Sequence, residues 1–435
     1  MIADLKPYAA YKDSSQAWLG DVPRHWSVLP NRAIFLEVKE RNHPDAEMLS
    51  VTITRGIVRQ KALLAGSSKK DSSNQDKSAY KLVKPRDIAY NKMRAWQGAI
   101  GSSEFLGIIS PAYVVMRLRD DDNLPRYFHH LYRTPQFSKE AERWSYGITS
   151  DMWSLRPEHF KMIYTPVPPL EEQTAIVRFL DWANGRLERA IRAKRRVIAL
   201  LTEQKQAIIH RAVTRGLDPA VPLKPSGIAW LEDIPAHWDV MQLRQVLSFG
   251  PKNGVSPQAA VGAGILSFSI SAVRDGRVTI AGHEKTVALD QARVPGFRIY
   301  RGDILLVRGN GNVSLVGKCG LVHECPDVCI FPDILMKLRP NEKMMPEYIV
   351  LAINSAYVSN QVSTLAKTSN GAFKVSGATV RSIAMVVPPI EEQKQLVDAL
   401  ATNTAAIDTA ISRLNREIEF LREYRTRLVA DVVTG

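Results

Sequence analysis

The chain has 435 residues, 45% of them hydrophobic and 23% charged, with 58 Lys and Arg against 44 Asp and Glu and a formal net charge of +14. This length suits about three ordinary domains, and the composition excludes a mini-protein or a disordered chain. No apolar run approaches the roughly 18 residues of a membrane span and MIADLKPYAAYKDSS has no signal-peptide core, so a cytoplasmic location is expected; the basic excess points to a polyanionic partner without naming one.

The first globular part opens with AWLGDVPRHWSVLP (17–30), which contains His25 and Trp26. Short pieces of period 2, such as AYVVMRLR, are separated by Gly, Pro, Asn and Asp, and predict a mixed α/β domain with many short strands. At PVPPLEEQTAIVRFLD (166–181) the period becomes helical, and a long helix is expected from about 171 to Gly216, a C-cap residue. The segment LDPAVPLKPSG (217–227) then reads as a linker.

The plan now repeats. AWLEDIPAHWDVMQ (229–242) answers the opening phrase at an offset of 212, and VPPIEEQKQLVDAL (387–400) answers the helix start at 220. Between them SPAYVVMRLR answers FPDILMKLRP, aligned here with Leu118 on Leu338. The expected organisation is therefore a first recognition-type domain over 1–168, a spacer helix over 169–216, the linker, a second domain over 228–388 and a second spacer helix over 389–435. Leu187, Ile191, Ile198, Leu201 and Ile208 recur in register as Ile407, Ile411, Ile418, Leu421 and Leu428. Steps of three and four sustained this long make a coiled-coil seam, and the simplest partner for each helix is the other, antiparallel, in a pseudo-two-fold arrangement.

Catalytic spacing is missing. GNGNVSLVGKC (309–319) has Asn312 where a phosphate loop needs Gly and Cys319 where it needs Ser or Thr. In FPDILMKL, Asp333 and Lys337 approach a nuclease pattern, but Leu335 stands at the second acid's position. PVPP and VVPP lack the Asn/Asp-Pro-Pro-aromatic signature of amino-methyltransferases. Cys319, Cys325 and Cys329 form no C-x-x-C knuckle and are expected to be buried and inert, and His25 and His237 to pack beside Trp26 and Trp238.

Taken in this order and twice over, the AWL-x-D-[VI]-P-x-HW openings and the PP-[LI]-EEQ helix starts resemble the DNA-specificity (S) subunit of type I restriction-modification systems, across essentially the whole chain. IAYNKMRAWQGAIGSSEFLGIISPAYVVMRLR (88–119) and RGDILLVRGNGNVSLVGK (301–318) look like the skeletons of that family's target-recognition domains. The resemblance implies a non-catalytic subunit in which each domain reads one half of a split, asymmetric DNA target. It also implies spacer helices that dock two methyltransferase (M) subunits, with restriction (R) subunits in the full complex. S-adenosylmethionine, ATP and Mg2+ would belong to those partners, leaving no cofactor and no metal in this chain.

Base reading needs paired donors and acceptors, and phosphate contact needs cations, hydroxyls or amides. In the first copy these are offered by Lys92, Arg94, Trp96 and Gln97, and by Arg143, Tyr146, Thr149 and Ser150. In the second they are offered by Arg308, Asn310 and Asn312, and by Lys367, Thr368, Ser369, Asn370 and Lys374. Glu171, Glu172, Gln173, Glu391, Glu392 and Gln393 are candidates for meeting a partner, although acids at a helix start already have a local reason in the amide dipole. Two other readings stay open: a DNA-modifying enzyme with a cryptic site, and a coiled-coil nucleic-acid-binding scaffold.

Overall fold

The computed structural model describes residues 8–65, 76–147, 153–228, 231–260, 262–369 and 371–435. It divides into two compact units, residues 1–194 with 415–435, and residues 195–414. Each unit therefore holds one globular part, one half of its own long helix and one half of the other.

Unit 1 is built on a four-stranded antiparallel sheet ordered Phe35–Val38, Tyr113–Leu118, Ile88–Asn91 and Ile100–Ser102. Alternation sends Ile88, Tyr90, Val114 and Met116 to one face, where the helices Pro125–Leu131, Pro135–Arg143 and Pro157–Met162 bring Phe128, Tyr132, Phe137 and Phe160. Ala89 and Val115 point to the other face, against Leu49, Val51 and Ile57 of the Leu49–Thr52 and Gly56–Arg59 hairpin. Both faces are covered, which is why AYVVM reads as a continuous apolar run.

In unit 2, six strands are ordered Leu247–Asn253, Leu335–Pro340, Ile304–Val307, Cys319–Leu321, Arg277–Val278 and Val273–Arg274. Ile304, Leu306, Met336 and Leu338 face one apolar cluster, and Leu305, Val307 and Leu335 face another. The hairpin of Ile265–Phe268 and Glu284–Val287 answers the Leu49–Thr52 and Gly56–Arg59 hairpin of unit 1, with a longer connection between its strands. The linker contributes more than a tether: Leu223–Pro225 pairs with Asp233–Pro235 as Tyr11–Asp13 pairs with Asp21–Pro23, so the second copy begins inside it.

The strand register corrects the alignment of the copies. Buried Asp87 is held by Arg117 at 2.7 and 2.9 Å, and buried Asp303 by Arg339 at 2.9 and 2.6 Å. Met116 lies opposite Ile88 as Leu338 lies opposite Ile304, which puts the offset of this strand at 222 instead of 220. A slip of two residues keeps every side chain on its own face, so hydropathy alone does not detect it.

The long helices run Leu170–Arg215 and Ile390–Thr434. In unit 1, Glu188 pairs with Arg425 at 2.6 Å and Lys194 with Glu417 at 2.5 Å, so the partner number falls as the first helix advances and the segments are antiparallel. In unit 2 Lys205 meets Asp408 at 2.6 Å, and Gly216 lies by Glu392 further on. Ile191, Ile407, Ile418 and Leu428 are buried, and Leu187, Ile198, Leu201, Ile208, Ile411 and Leu421 partly so. Gly216 closes the first helix at φ +75°, a conformation that glycine adopts without penalty.

Each globular part also grips a helix end from the other copy. Tyr127 donates its hydroxyl to the carbonyls of Val433 (2.9 Å) and Pro166 (3.1 Å). Tyr348 repeats this towards Val213 (3.5 Å) and Val386 (3.3 Å).

Candidate nucleic-acid interface

In unit 1 two stretches separated by about fifty residues form one surface. Asn91 Oδ1 accepts from the Met93 amide at 3.0 Å, turning the chain out of its strand into the short helical turn Ala95–Gln97, which Gly98 ends at φ +87°. Arg94 is exposed and donates to Gln97 Oε1 at 3.0 Å, giving a linked guanidinium and amide. Trp96 donates to the Met93 carbonyl and sets its ring edge-to-face on Trp153 with centroids 5.5 Å apart. The Leu155 amide donates to the Lys92 carbonyl at 2.9 Å, fastening the second stretch to the first.

Arg143 is exposed and leans on Glu140 at 2.9 Å, whose carboxylate also accepts from the Trp144 indole at 2.7 Å. Tyr146 is 60% exposed beside the His159 ring. Thr149 and Ser150 lie outside the described residues.

A residue that motif reading passed over holds this surface in place. Arg133 sends Nη1 to the carbonyls of Gly98 and Ile100, both at 2.9 Å, and Nη2 to that of Ile53 at 2.8 Å. It thereby ties the 52–56 hairpin turn to the loop that follows Gln97. These hydrogen bonds run to carbonyls, and burial lowers its pKa to about 10. A lone arginine in a polar stretch leaves no sequence signal of such a role.

In unit 2 the corresponding stretches become one three-stranded sheet, Gly309–Asn310, Ala372–Lys374 and Lys367–Ser369. Arg308 enters it half-buried, with its carbonyl accepting from the Val375 amide. Asn310 and Asn312 spend their side-chain oxygens on the Asn312 amide (2.9 Å) and the Ser314 amide (3.0 Å). Lys367 and Lys374 lie directly opposite each other, a like-charge pairing that an anionic ligand would relieve. Lys367, Thr368 and Lys374 are exposed; Ser369 is seen only as strand backbone, and Asn370 lies outside the described residues.

The helix-start phrases have an internal task. Glu172 accepts from the Trp26 indole at 2.8 Å and sits 2.6 Å from His25 Nε2, and Glu392 does the same for Trp238 (2.9 Å) and His237 (2.8 Å). The two repeated phrases, HW and EEQ, are thus the two halves of one joint, and the histidines take part in it through a polar contact as well as by packing. Burial and then the Glu172 carboxylate push the neighbouring Tyr8 hydroxyl up to about 12.

Gln173 is fully buried, accepts from the Leu124 amide at 2.8 Å and donates to the Pro168 carbonyl at 2.8 Å; Gln393 repeats this with Met345 and Pro388. Only Glu171 and Glu391 of the phrase are exposed, each beside a 42% exposed apolar residue, Leu170 or Ile390.

The phosphate-loop-like stretch is otherwise employed, since Lys318 donates to the Asn354 carbonyl and to Ser359, both at 2.8 Å. Cys319 and Cys329 are buried, and Cys325 is half-buried. Among the described residues no group of three or more His, Cys, Asp and Glu is placed to hold a metal ion, and no helix is long and apolar enough to cross a membrane.

No protein-family model matches the chain. The EcoKI type I restriction enzyme specificity subunit of Escherichia coli is 23% identical over 371 residues, covering 81% of this chain and 75% of that one. The MjaVIII specificity subunit of Methanocaldococcus jannaschii is 22% identical over 374 residues, covering 83% of each. A solved chain described under complex assembly and conformational transition of the type I restriction-modification system shares the fold at a TM-score of 0.59 and 17% identity, over 95% of this chain and 99% of that one. Over most of its length the chain is thus similar to specificity subunits of type I restriction-modification systems.

Proposed function

We infer that the chain is the sequence-specific DNA-recognition subunit of such a system, and that it reads a split, asymmetric target with one half-site per globular part. The observation that carries this reading is the convergence, in both units, of two separated polar and basic stretches into one exposed surface on a repeated framework. The surfaces differ, so the half-sites differ.

Two methyltransferase subunits and, in the full complex, restriction subunits are the proposed protein partners, with exposed Leu170–Glu171 and Ile390–Glu391 as matched contact points. Methyl transfer and cleavage belong to those partners, as do S-adenosylmethionine, ATP and Mg2+. The test is selection from random duplex DNA by the chain assembled with its methyltransferase. A motif of two unlike halves at fixed separation is expected; enrichment without a split motif refutes the reading. Methyl transfer by the purified chain alone would favour a catalytic subunit instead.

A further inference from the structure

Unit 2 has a surface cavity of about 470 Å³, outside the loops assigned above, whose walls include Phe249, Pro251, Lys252, Gly377 and Arg381. Its origin is clearest from the same place in unit 1. There the short helix Pro157–Met162 lies beside the edge strand Phe35–Val38, and Lys161 Nζ meets Glu37 Oε2 at 3.0 Å. The cation and the acid close the site on each other.

In unit 2 the short helix is Gly377–Arg381, 220 positions on, and Arg381 stands where Lys161 stands. The edge strand is Leu247–Asn253, but its pairing shifts register twice, between Leu247 and Phe249 and between Phe249 and Lys252. Arg117 faces Leu36, and its counterpart Arg339 faces Phe249; Val115 faces Val38, and its counterpart Lys337 faces Lys252. The place between, held by Glu37 in unit 1, goes to the bulged pair Gly250–Pro251. The bulge thus replaces a carboxylate by backbone and adds a second cation, Lys252.

The surroundings do not restore the balance. Neither Arg381 nor Lys252 forms an ion pair with a described residue, and Lys252 Nζ has only the Phe297 ring, 5.3 Å from its centroid. Lys337 and Arg339 lie on the adjacent strand, and the buried carboxylate there, Asp303, is already held by Arg339 at 2.6 Å. Phe249, 39% exposed, gives the cavity an apolar wall. Two unpaired cations beside such a wall suit a phosphodiester, whose oxygens need cations and whose sugar tolerates apolar contact. The helix bearing Arg381 begins three residues after Lys374 of the candidate interface, which makes the cavity continuous in the chain with that surface.

We propose that this cavity is an oxyanion site that holds one backbone phosphate of the bound duplex, through Arg381 and Lys252, and that unit 1 has no equivalent because Lys161 is committed to Glu37. The proposal rests on the DNA-recognition reading. It predicts a contact that anchors the duplex at unit 2 without reading sequence.

The test compares full-length wild type, R381Q/K252Q, R381K and K161Q in the assembled complex, titrated with cognate and scrambled duplexes across a salt series. One phosphate contact contributes about 0.9 to the slope of log affinity against log salt. Between 0.05 and 0.2 M salt the wild type should therefore lose about 3.5-fold more affinity than R381Q/K252Q, on both duplexes alike. R381K and K161Q should keep the wild-type slope. Replacing single phosphates by neutral methylphosphonates should weaken the wild type at one position to which R381Q/K252Q is indifferent.

An unchanged slope in the double variant overturns the proposal, as does a loss confined to the cognate duplex, which would mean base reading. If inorganic phosphate raises the melting temperature of the wild type but not of the double variant, while no methylphosphonate position matters, the site takes free phosphate and the DNA assignment fails. Absence of duplex binding by the wild type refutes the recognition reading, and this one with it.

Discussion

Asp87 in unit 1 and Asp303 in unit 2 occupy the same buried place, yet among the described residues Asp87 has one cation, Arg117, whereas Asp303 has Arg339 and, at 3.8 Å, Lys337. The outer contacts diverge further: a helical turn braced by two tryptophans in one unit answers to a three-stranded sheet in the other. What does not change is the joint of Glu, Trp and His, the buried glutamine behind it and the tyrosine that grips a helix end. Buried polar groups are costly to leave unpaired, so they are kept as sets; exposed loops carry no such constraint and are free to differ.

The largest expected effect separates the two buried carboxylates. Arg117→Ala leaves Asp87 without a cation and should destabilise unit 1 by about 3–5 kcal/mol. Arg339→Ala leaves Lys337 in reach of Asp303 and should cost less; local hydrogen exchange in each unit gives both numbers, and equal costs would break the contrast.

Acid should distinguish the units next. Burial lowers His130 to about 4 from an ordinary 6.5, and holds His129 well below its ordinary value too. Between those values the unfolded chain binds a proton that the folded unit refuses, so stability is complete above pH 6.5 and falls as the pH drops towards 4. His130 alone accounts for about 3 kcal/mol. Hydrogen exchange at pH 7 and pH 5 should show unit 1 loosening before unit 2.

On DNA, Arg94→Ala and Arg308→Ala should each weaken cognate binding by about 1–3 kcal/mol if the guanidinium reads a guanine, with little change on random duplex. In a selection, each should relax one half-site and leave the other intact. Arg133→Ala should affect the same half-site as Arg94→Ala through the shape of the loop, and Arg133→Lys should not rescue it, because one ammonium cannot span the same carbonyls. The smallest effect on folding is expected from Glu171→Lys and Glu391→Lys, within about 0.5 kcal/mol. Native mass spectrometry of the complex shows whether they nonetheless weaken methyltransferase docking.

Much of this was legible in the chain because repetition is a strong signal. The two EEQ phrases, the matched heptad-like positions and the alternating strand pieces are local patterns, and they sufficed for two α+β parts and two long helices. The family resemblance followed from their order. The alignment of FPDILMKLRP on its counterpart was two residues off because period 2 does not mark absolute register; the Arg117–Asp87 and Arg339–Asp303 pairs do, and they join strands about thirty residues apart.

By itself the sequence determined what depends on near neighbours: helix starts and stops, and the polar make-up of the candidate loops. Tertiary structure decided what depends on groups brought from a distance. It turned HW and EEQ into one joint, placed Gln173 and Gln393 inside, gave Arg133 its carbonyls, and left Arg381 with Lys252 where Lys161 has Glu37. The physical reason is that hydrogen bonding and charge pairing act over a few ångströms in space, and chain order does not say which residues will share them.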